Sequence, residues 1–398
     1  MPITHSSISG FKVSSLISQL VKITALAAFL AVLIVLPYQQ WLGNPTENRE
    51  NRELAEKPSL PMTSTAIVKF PKRFSEYMDD HFGFRGDLLR IYHRLLVSIG
   101  TSPSEKVVIG KSGWLFYTNQ ELTDQNRGAL PLSDRWLLRY KVGFESQRKW
   151  LEKRNIKHLL LPTPDKNTLY PEYMPDWVKW VGPSRYKQTL GYLSANAEPY
   201  VNVLPALEAA KSRNERIYLQ TDTHWSCLGG FRAYETLLDE VDKLNLPGVE
   251  RLAESDIRFT PLEPTPGGDM ARNLLLLDDI LREGLNVECE IKNLPELTAT
   301  RVSDGFVAKN PLLQRQQQQR WQYRKGDGEV RTSVLLFRDS YSHVLIPYLA
   351  VTFDELVVVP RPRIEFDRAE IKRFKPDLVI YQFVERALFW VPRIKRDG

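Results

Sequence analysis

The period of the apolar positions changes several times along this chain, and each change predicts an element. Ile23 to Pro37 is an uncharged apolar run. It is shorter than the ~20 residues that span a bilayer. Leu16 to Val21 extend it, with Lys22 snorkelling and Tyr38 and Trp41 at the far interface. This predicts a transmembrane helix over 23–41. Residues 45–65 are polar and proline-bearing, a linker pattern. Phe74, Tyr77 and Met78 then recur at helical spacing. Leu88, Leu89, Ile91, Tyr92 and Leu95 do so after Gly83 and Gly86, which predicts two helices around a turn at 81–85.

From Val107 the pattern alternates, and VVIGKSGWLFYT predicts a hairpin turning between Gly110 and Gly113. A helical stretch from Ser133 to Lys153 leads into a buried strand, His158 to Leu161, and then a loop, PTPDKNTLYPEYMP. Helix, short apolar strand and loop make the repeating unit of an α/β sheet. Tyr200 to Val203 predicts another strand, and Gly229 to Leu244 an amphipathic helix. Residues 252–332 show no clear period, and the low-complexity Gln314–Gln322 predicts an exposed loop. The end alternates again: strand Val334–Phe337, helix Tyr341–Val351, strand Glu355–Val359, helix Asp367–Phe374 and strand Leu378–Gln382. The predicted class is α/β, a parallel sheet flanked by helices.

Charge sets a topology. Lys12 and Lys22 precede the apolar run without an acid, which favours the N-terminus inside and the bulk of the chain outside. No A-x-A-like cleavage site follows in LPYQQWLGNP, so the run reads as a retained anchor. The expected organisation is a cytoplasmic 1–22, an anchor at 23–41, a linker at 42–69 and one catalytic domain at 70–398. The net charge of +6 over 398 residues suits an anionic partner such as a polysaccharide or a membrane surface. The basic residues are scattered, however, as on a solvated surface. No zinc-finger, helix-turn-helix or RNA-binding pattern points to nucleic acid. The two cysteines, Cys227 and Cys289, form no CxxC motif, which argues against a zinc site. They are expected as two buried free thiols, with a disulfide as the alternative in an oxidising space.

Two short motifs carry the chemistry. Asp222-Thr223-His224-Trp225 offers a carboxylate and an imidazole on one loop, and Arg338-Asp339-Ser340-Tyr341-Ser342 places a serine where an apolar strand breaks into a helix. A serine hydroxyl needs a base, and histidine titrates near neutrality. A carboxylate on the other ring nitrogen fixes the tautomer. A serine at a strand-to-helix turn points outward beside backbone N–H groups. Ser340 is therefore the candidate nucleophile, His224 the base and Asp222 its orienter. Ser342 lies one step inside the helix and ranks behind Ser340; Asp339 reads as the helix cap. Lys166 and Asn167 follow a strand end, where they could hold an acyl oxygen or a sugar hydroxyl, or simply form a turn. Arg338 and Tyr341 complete the candidate substrate contacts. Glu385 and Arg386 read as an ion pair. Asp222 and His224 alone make a poor metal site.

These motifs belong to a longer series: Glu50-Asn51-Arg52, Asp80-His81-Phe82-Gly83-Phe84-Arg85, Gly110-Lys111-Ser112-Gly113-Trp114-Leu115-Phe116, Pro164-Asp165-Lys166, Thr221 to Trp225, Gly268-Asp269-Met270-Ala271, Arg338 to Ser342, and Pro376-Asp377. In this order, from about 47 to 388, they resemble the alginate O-acetyltransferase (AlgJ/AlgX-like) family of the SGNH-hydrolase-like superfamily. The resemblance implies an SGNH-like sheet whose Asp-x-His precedes the serine, a permuted order. It further implies transfer of acetyl groups to hydroxyls of a secreted exopolysaccharide through an acetyl-serine. No cofactor is implied. The implied partners are a polytopic membrane O-acyltransferase that supplies acetyl groups and a polysaccharide acceptor. The implied location is the inner membrane, single-pass, with the catalytic domain in the periplasm. An acetyl-esterase with the same triad and a non-catalytic polysaccharide-binding subunit are the alternatives. One departure stands out: ordinary SGNH enzymes have glycine where this chain has Arg338. That is costly if the position needs positive φ, and otherwise places a cation at the cleft.

Overall fold

Four apolar runs form the parallel part of the main sheet, each buried on both faces. The computed structural model describes residues 19–27, 29–30, 53–81, 85–119, 121–312, 318–361, 363–390 and 392–395. Twelve strands occur among them. These are β1 Val107–Ile109, β2 Leu115–Tyr117, β3 Lys157–Thr163, β4 Ile257–Leu262, β5 Asn286–Ile291, β6 Leu297–Arg301, β7 Trp321–Lys325, β8 Ser333–Arg338, β9 Glu355–Pro360, β10 Glu365–Asp367, β11 Leu378–Val384 and β12 Arg393–Lys395. The main sheet has the order β3-β11-β8-β9-β7-β6. Its first four strands run parallel. Burial along β3, β8, β9 and β11 is continuous rather than alternating, as expected of parallel strands covered on both sides. Burying one Leu or Val side chain there stabilises the fold by roughly 1.5–3 kcal/mol.

The sheet is not wholly parallel. β7 pairs antiparallel with β9, and β6 antiparallel with β7. These two strands, and the hairpin of β4 with β5, come from the stretch without clear period. Their burial is mixed, and Pro261 interrupts β4, so neither an apolar run nor a clean alternation marks them. Strand β7 begins at Trp321, inside the segment read as an exposed low-complexity loop.

Both outer edges of the sheet are met by short segments rather than strands. Along β3, the Leu160 N–H donates to Pro199 and the Val201 N–H donates back to Leu160, at 2.9 and 2.8 Å. The strand expected at 200–203 is thus a single bridge, because the helix Leu204–Ser212 starts at once. Along β6, the Ala308 N–H donates to Ala299 and the Arg301 N–H to Phe306, at 2.9 and 2.8 Å.

Helices follow the strands as expected, with one break. The helix Asp134–Glu152 packs on β3. After β8, a 3-10 turn, Ser340–Val344, precedes the helix Ile346–Thr352. Pro347 lies in that helix's first turn, where no N–H is needed. The β1–β2 hairpin turns as expected, with Gly113 at φ +79°.

The chain divides into two compact units, 1–99 and 100–398. The first contains the helices Ser64–His81 and Arg85–Ser98, the former opening inside the segment read as linker. The turn at 82–84 and Glu50-Asn51-Arg52 fall outside the described residues. Residues 19–27 and 29–30 are helical, but no helix among the described residues is long and apolar enough to cross a membrane. The rest of the expected anchor, 31–41, falls outside them.

Cys227 and Cys289 form a disulfide, not the expected free thiols. Cys227 opens the helix Cys227–Asp242 and Cys289 sits on β5, which packs against that helix, so their Cα atoms lie 5.9 Å apart. The bridge closes a separation of 62 residues. A Cys227→Ser/Cys289→Ser variant should lose up to about 4 kcal/mol of stability on a chain-entropy estimate. A non-reducing peptide map should show the linked pair, and titration of two free thiols in denaturant would refute it.

Candidate functional site

The carboxyl ends of three adjacent strands, β3, β11 and β8, meet at one edge of the sheet, the usual place for a ligand site in an α/β fold. Each contributes a polar loop: Pro164 to Asn167 after β3, Arg338 to Ser342 after β8, and Glu385 with Arg386 after β11. Asp339 caps the 3-10 turn, accepting from the Tyr341 N–H at 2.9 Å through Oδ1. Its Oδ2 accepts from the Val384 N–H at 2.7 Å, which ties the turn to β11.

Ser340 opens that turn and meets the loop 219–224. Its Oγ lies 2.8 Å from His224 Nε2. His224 Nδ1 lies 2.7 Å from Asp222 Oδ1, which also accepts from the His224 N–H at 2.9 Å. Asp222 Oδ2 accepts from the Asp269 N–H at 2.8 Å. This approach needs Gly268, since a Cβ there would lie 2.3 Å from the Cβ of Asp222. Ser340, His224 and Asp222 thus form one hydrogen-bonded series across 118 positions of sequence. Ser342, by contrast, is fully buried and donates to Gln382 Oε1 at 2.8 Å, so its hydroxyl is not presented to the site.

Burial disfavours the imidazolium of His224, but the bond to Asp222 and its charge outweigh that and raise the His224 pKa. For Asp222, burial pushes upward, and the bonds with His224 win, so its carboxyl titrates well below the usual range. Asp269 is a second carboxylate in the site. It accepts from the Thr223 N–H at 2.7 Å and the Thr223 hydroxyl at 2.6 Å, and lies 3.6 Å from His224 Nδ1. Burial, then the charge of Asp222, raises its pKa. Sequence reasoning gave Asp269 no role; the glycine before it, demanded by the close approach, was the available signal. Ligand atoms of Asp222, His224 and Asp269 lie within 4.8 Å of one another, so the third group absent from the sequence pair is present. Both nitrogens of His224 are already engaged by Asp222 and Ser340.

The four expected substrate contacts all lie behind this series, at 0–2% exposure. Lys166 Nζ donates to the carbonyls of Leu219, Gln220 and Asp222 at 2.9, 3.0 and 2.7 Å. Burial lowers its pKa to about 7, against the pull of Glu283, Asp222 and Asp269. Asn167 donates to Asn126 Oδ1 at 3.1 Å. The Tyr341 hydroxyl donates to the Thr223 carbonyl at 2.7 Å. Arg338 donates to His343 Nε2 at 2.7 Å and holds that ring 6.1 Å from His224, centroid to centroid. Arg338 ends strand β8 in an extended position, so it is neither a strained replacement for glycine nor a cation in the cleft. Physically, a long side chain at a strand end can turn inward when loop carbonyls need donors.

Glu283, also unread in the sequence, accepts from the Gln220 N–H and from the Thr221 N–H and hydroxyl, the latter two at 2.9 and 2.7 Å. Glu385 and Arg386 do not form the expected pair. Arg386 bonds Asp165 at 2.6 Å, while Glu385 accepts from Asn126, Thr168 and the Asp165 N–H. Burial, then the charge of Asp165, raises Glu385 to about 7.

The family model described as the SGNH hydrolase-like domain of the acetyltransferase AlgX matches residues 107–320, just over half of the chain. The chain belongs to this family of SGNH-hydrolase-like acetyltransferase domains. It is 36% identical over 171 residues to the probable alginate O-acetylase AlgJ of Pseudomonas aeruginosa, a match covering 40% of this chain and 42% of that protein. A second probable alginate O-acetylase AlgJ, from Pseudomonas syringae pv. tomato, is 26% identical over 217 residues, covering 54% and 51%. The matches thus span about half the length of these curated relatives or less. Among solved structures, Bacillus cereus PatB1 covers 70% of this chain and 95% of its own at a TM-score of 0.52 and 14% identity, a likeness of fold alone.

Two outcomes follow. Lys166→Met should leave the Leu219 and Asp222 carbonyls short of a donor, the Gln220 carbonyl keeping the Leu115 N–H at 3.0 Å, and lower stability by roughly 2–5 kcal/mol. A melting curve unchanged from wild type would refute this. In a pH titration followed by NMR, the His224 ring should titrate above its ordinary 6.5, and Asp222→Asn should bring it down, because the variant removes the charge that favours the imidazolium. Equal midpoints in the two proteins would contradict that origin of the shift.

Proposed function

We propose that this protein is an O-acetyltransferase that moves acetyl groups to hydroxyls of an exopolysaccharide, with Ser340 as nucleophile, His224 as general base and Asp222 as orienter. The observation that carries the reading is the Ser340 Oγ–His224 Nε2 distance of 2.8 Å, with Asp222 on the opposite ring nitrogen, in a chain of this family. Asp222 holds the proton on Nδ1 and leaves Nε2 free to accept. Ser340 Oγ attacks the acetyl carbonyl carbon and its proton passes to His224 Nε2. The tetrahedral species collapses, the donor oxygen leaves with that proton, and the acetyl group stays on Ser340. A sugar hydroxyl then attacks, gives its proton to His224, and Ser340 recovers it as the ester forms. Backbone N–H groups beside Ser340 stabilise each oxyanion in this reading, and losing one such donor would cost about 3 kcal/mol in barrier.

The same reading places the site outside the cytoplasm, on a chain anchored through 23–41, with a polytopic membrane O-acyltransferase as acetyl donor. The Cys227–Cys289 disulfide supports an oxidising compartment. The printed names of the Pseudomonas relatives support a polysaccharide acceptor of the alginate kind.

The test is acyl-enzyme trapping. With an activated acetyl ester and no sugar, intact mass should rise by one acetyl group, mapped to Ser340. Ser340→Ala should abolish the label, and His224→Ala should slow it by at least about a thousandfold. An acidic oligosaccharide should clear the label and become acetylated. Label at Ser342, or no label with an ester that modifies another serine enzyme, would overturn the assignment, and clearance by water alone would identify an esterase.

A further inference from the structure

The helix Asp134–Glu152 turns Tyr140, Phe144, Gln147 and Leu151 inward. Its outward face carries Leu138 and Val142, both 61% exposed, where an amphipathic helix normally carries charge. The two residues border a groove of about 740 Å³ whose wall includes Trp136, Phe389 and Trp390. Three arginines line it, Arg139, Arg368 and Arg393, and no carboxylate does. Gly143 forms part of the floor, because a Cβ there would lie 2.8 Å from Pro392. Arg368 is held in place by the Ser146 carbonyl at 3.2 Å and Gln147 Oε1 at 3.3 Å. A further cation, Arg363, sits 4.1 Å over the Trp390 ring. The groove runs on into a second hollow of about 450 Å³ that shares Val142, Ser146 and Arg368 and adds Lys149 and Lys153. The one acid there, Glu145, is bonded to Lys149 at 2.5 Å.

Along the chain, one turn separates the groove from the loop beside the serine site. Residues Glu385–Phe389 form a 3-10 turn directly after β11. Near its start, the Arg386 guanidinium lies 5.2 Å from the Tyr341 ring, next to Ser340. At its end stand Phe389 and Trp390. Four Cα–Cα steps separate Arg386 from Trp390, at most about 15 Å. The Tyr140 hydroxyl donates to the Leu388 carbonyl at 2.7 Å and fixes the turn against the helix.

We infer that this groove binds a stretch of anionic polysaccharide, so that neighbouring sugars of the same chain reach Ser340. Sugar rings offer apolar faces to indoles. Their carboxylates match guanidinium forks, which bind such groups in two-pronged fashion. The charged groups of the lining, three arginines and no carboxylate, select acidic over neutral polymer. A flat bilayer would meet the two projecting apolar side chains, but would not fill a concave channel. The proposal rests on the acetyl-transfer reading for its choice of polymer.

The test is titration calorimetry on the full chain in detergent, carrying Ser340→Ala so that no turnover occurs, with an oligouronate and an uncharged oligoglucan of equal length. Saturable binding of the oligouronate alone is expected, weakening with salt. Arg139→Glu with Arg393→Glu, both exposed positions, should weaken it at least tenfold without shifting the melting temperature. Equal binding of the neutral sugar, or undiminished binding by the charge-reversed protein, would overturn the proposal. So would a result in which charge reversal abolishes only sedimentation with phosphatidylglycerol vesicles, or only self-association. No acetyl donor is present, so a failure here leaves the Ser340 labelling result to stand or fall separately.

Discussion

The buried ammonium of Lys166 is the contact on which the site depends. The loop 219–224 has little regular structure to satisfy its backbone, with one bond from the Leu115 N–H of β2 to the Gln220 carbonyl and one internal bond from the Leu219 N–H to the His224 carbonyl, yet it must hold Asp222 and His224 in place. Buried backbone groups left without partners are costly, so the loop needs partners from elsewhere. Lys166 serves three of its carbonyls, Tyr341 a fourth, Glu283 two of its N–H groups and Asp269 another. Lys166 comes from the end of β3 and Tyr341 from the turn after β8. The rigid sheet therefore sets the loop's geometry through side chains. Gly268 then lets the Asp269 segment come close enough for a backbone N–H to orient Asp222.

This arrangement explains which parts of the molecule could be read in the sequence. The strands β3, β8, β9 and β11 are apolar throughout because both faces are covered, and a continuous apolar run is legible without any partner. That Asp222, His224 and Ser340 would come together was legible because their residue types suit one chemistry. The misread residues share a different property. Lys166, Asn167, Arg338 and Tyr341 are polar side chains at strand ends, and whether such a chain points outward or inward is decided by acceptors that the rest of the fold supplies. Lys166 finds its acceptors more than 50 positions away. The strands β4 to β7 were unread for another reason: they are short, only partly covered, and interrupted by residues such as Pro261. The cysteines depended on helix Cys227–Asp242 meeting β5, a contact that no spacing reveals.

Charge is graded across the site in a way that suits proton transfer. Asp222 is held ionised beside His224, whereas Asp269 and Glu385 are pushed toward their neutral forms by burial. Asp165 is pushed up by burial as well, although the Arg386 guanidinium opposes it. The carboxylate that bonds His224 directly is therefore the one most firmly charged, and the others sit around it without competing for the imidazole proton.

The two short segments along the sheet margins have a consequence for how copies of this chain behave at high concentration. A strand at the rim of a sheet normally offers a row of unpaired amides on which another chain can zip. Here Pro199–Val201 occupies part of the β3 rim, and Phe306–Ala308 part of the β6 rim. Each is too short and too sharply turned to act as a template itself. With part of each rim already occupied, fibrillar stacking through the sheet is hindered at both margins, and association between copies falls more to side-chain surfaces.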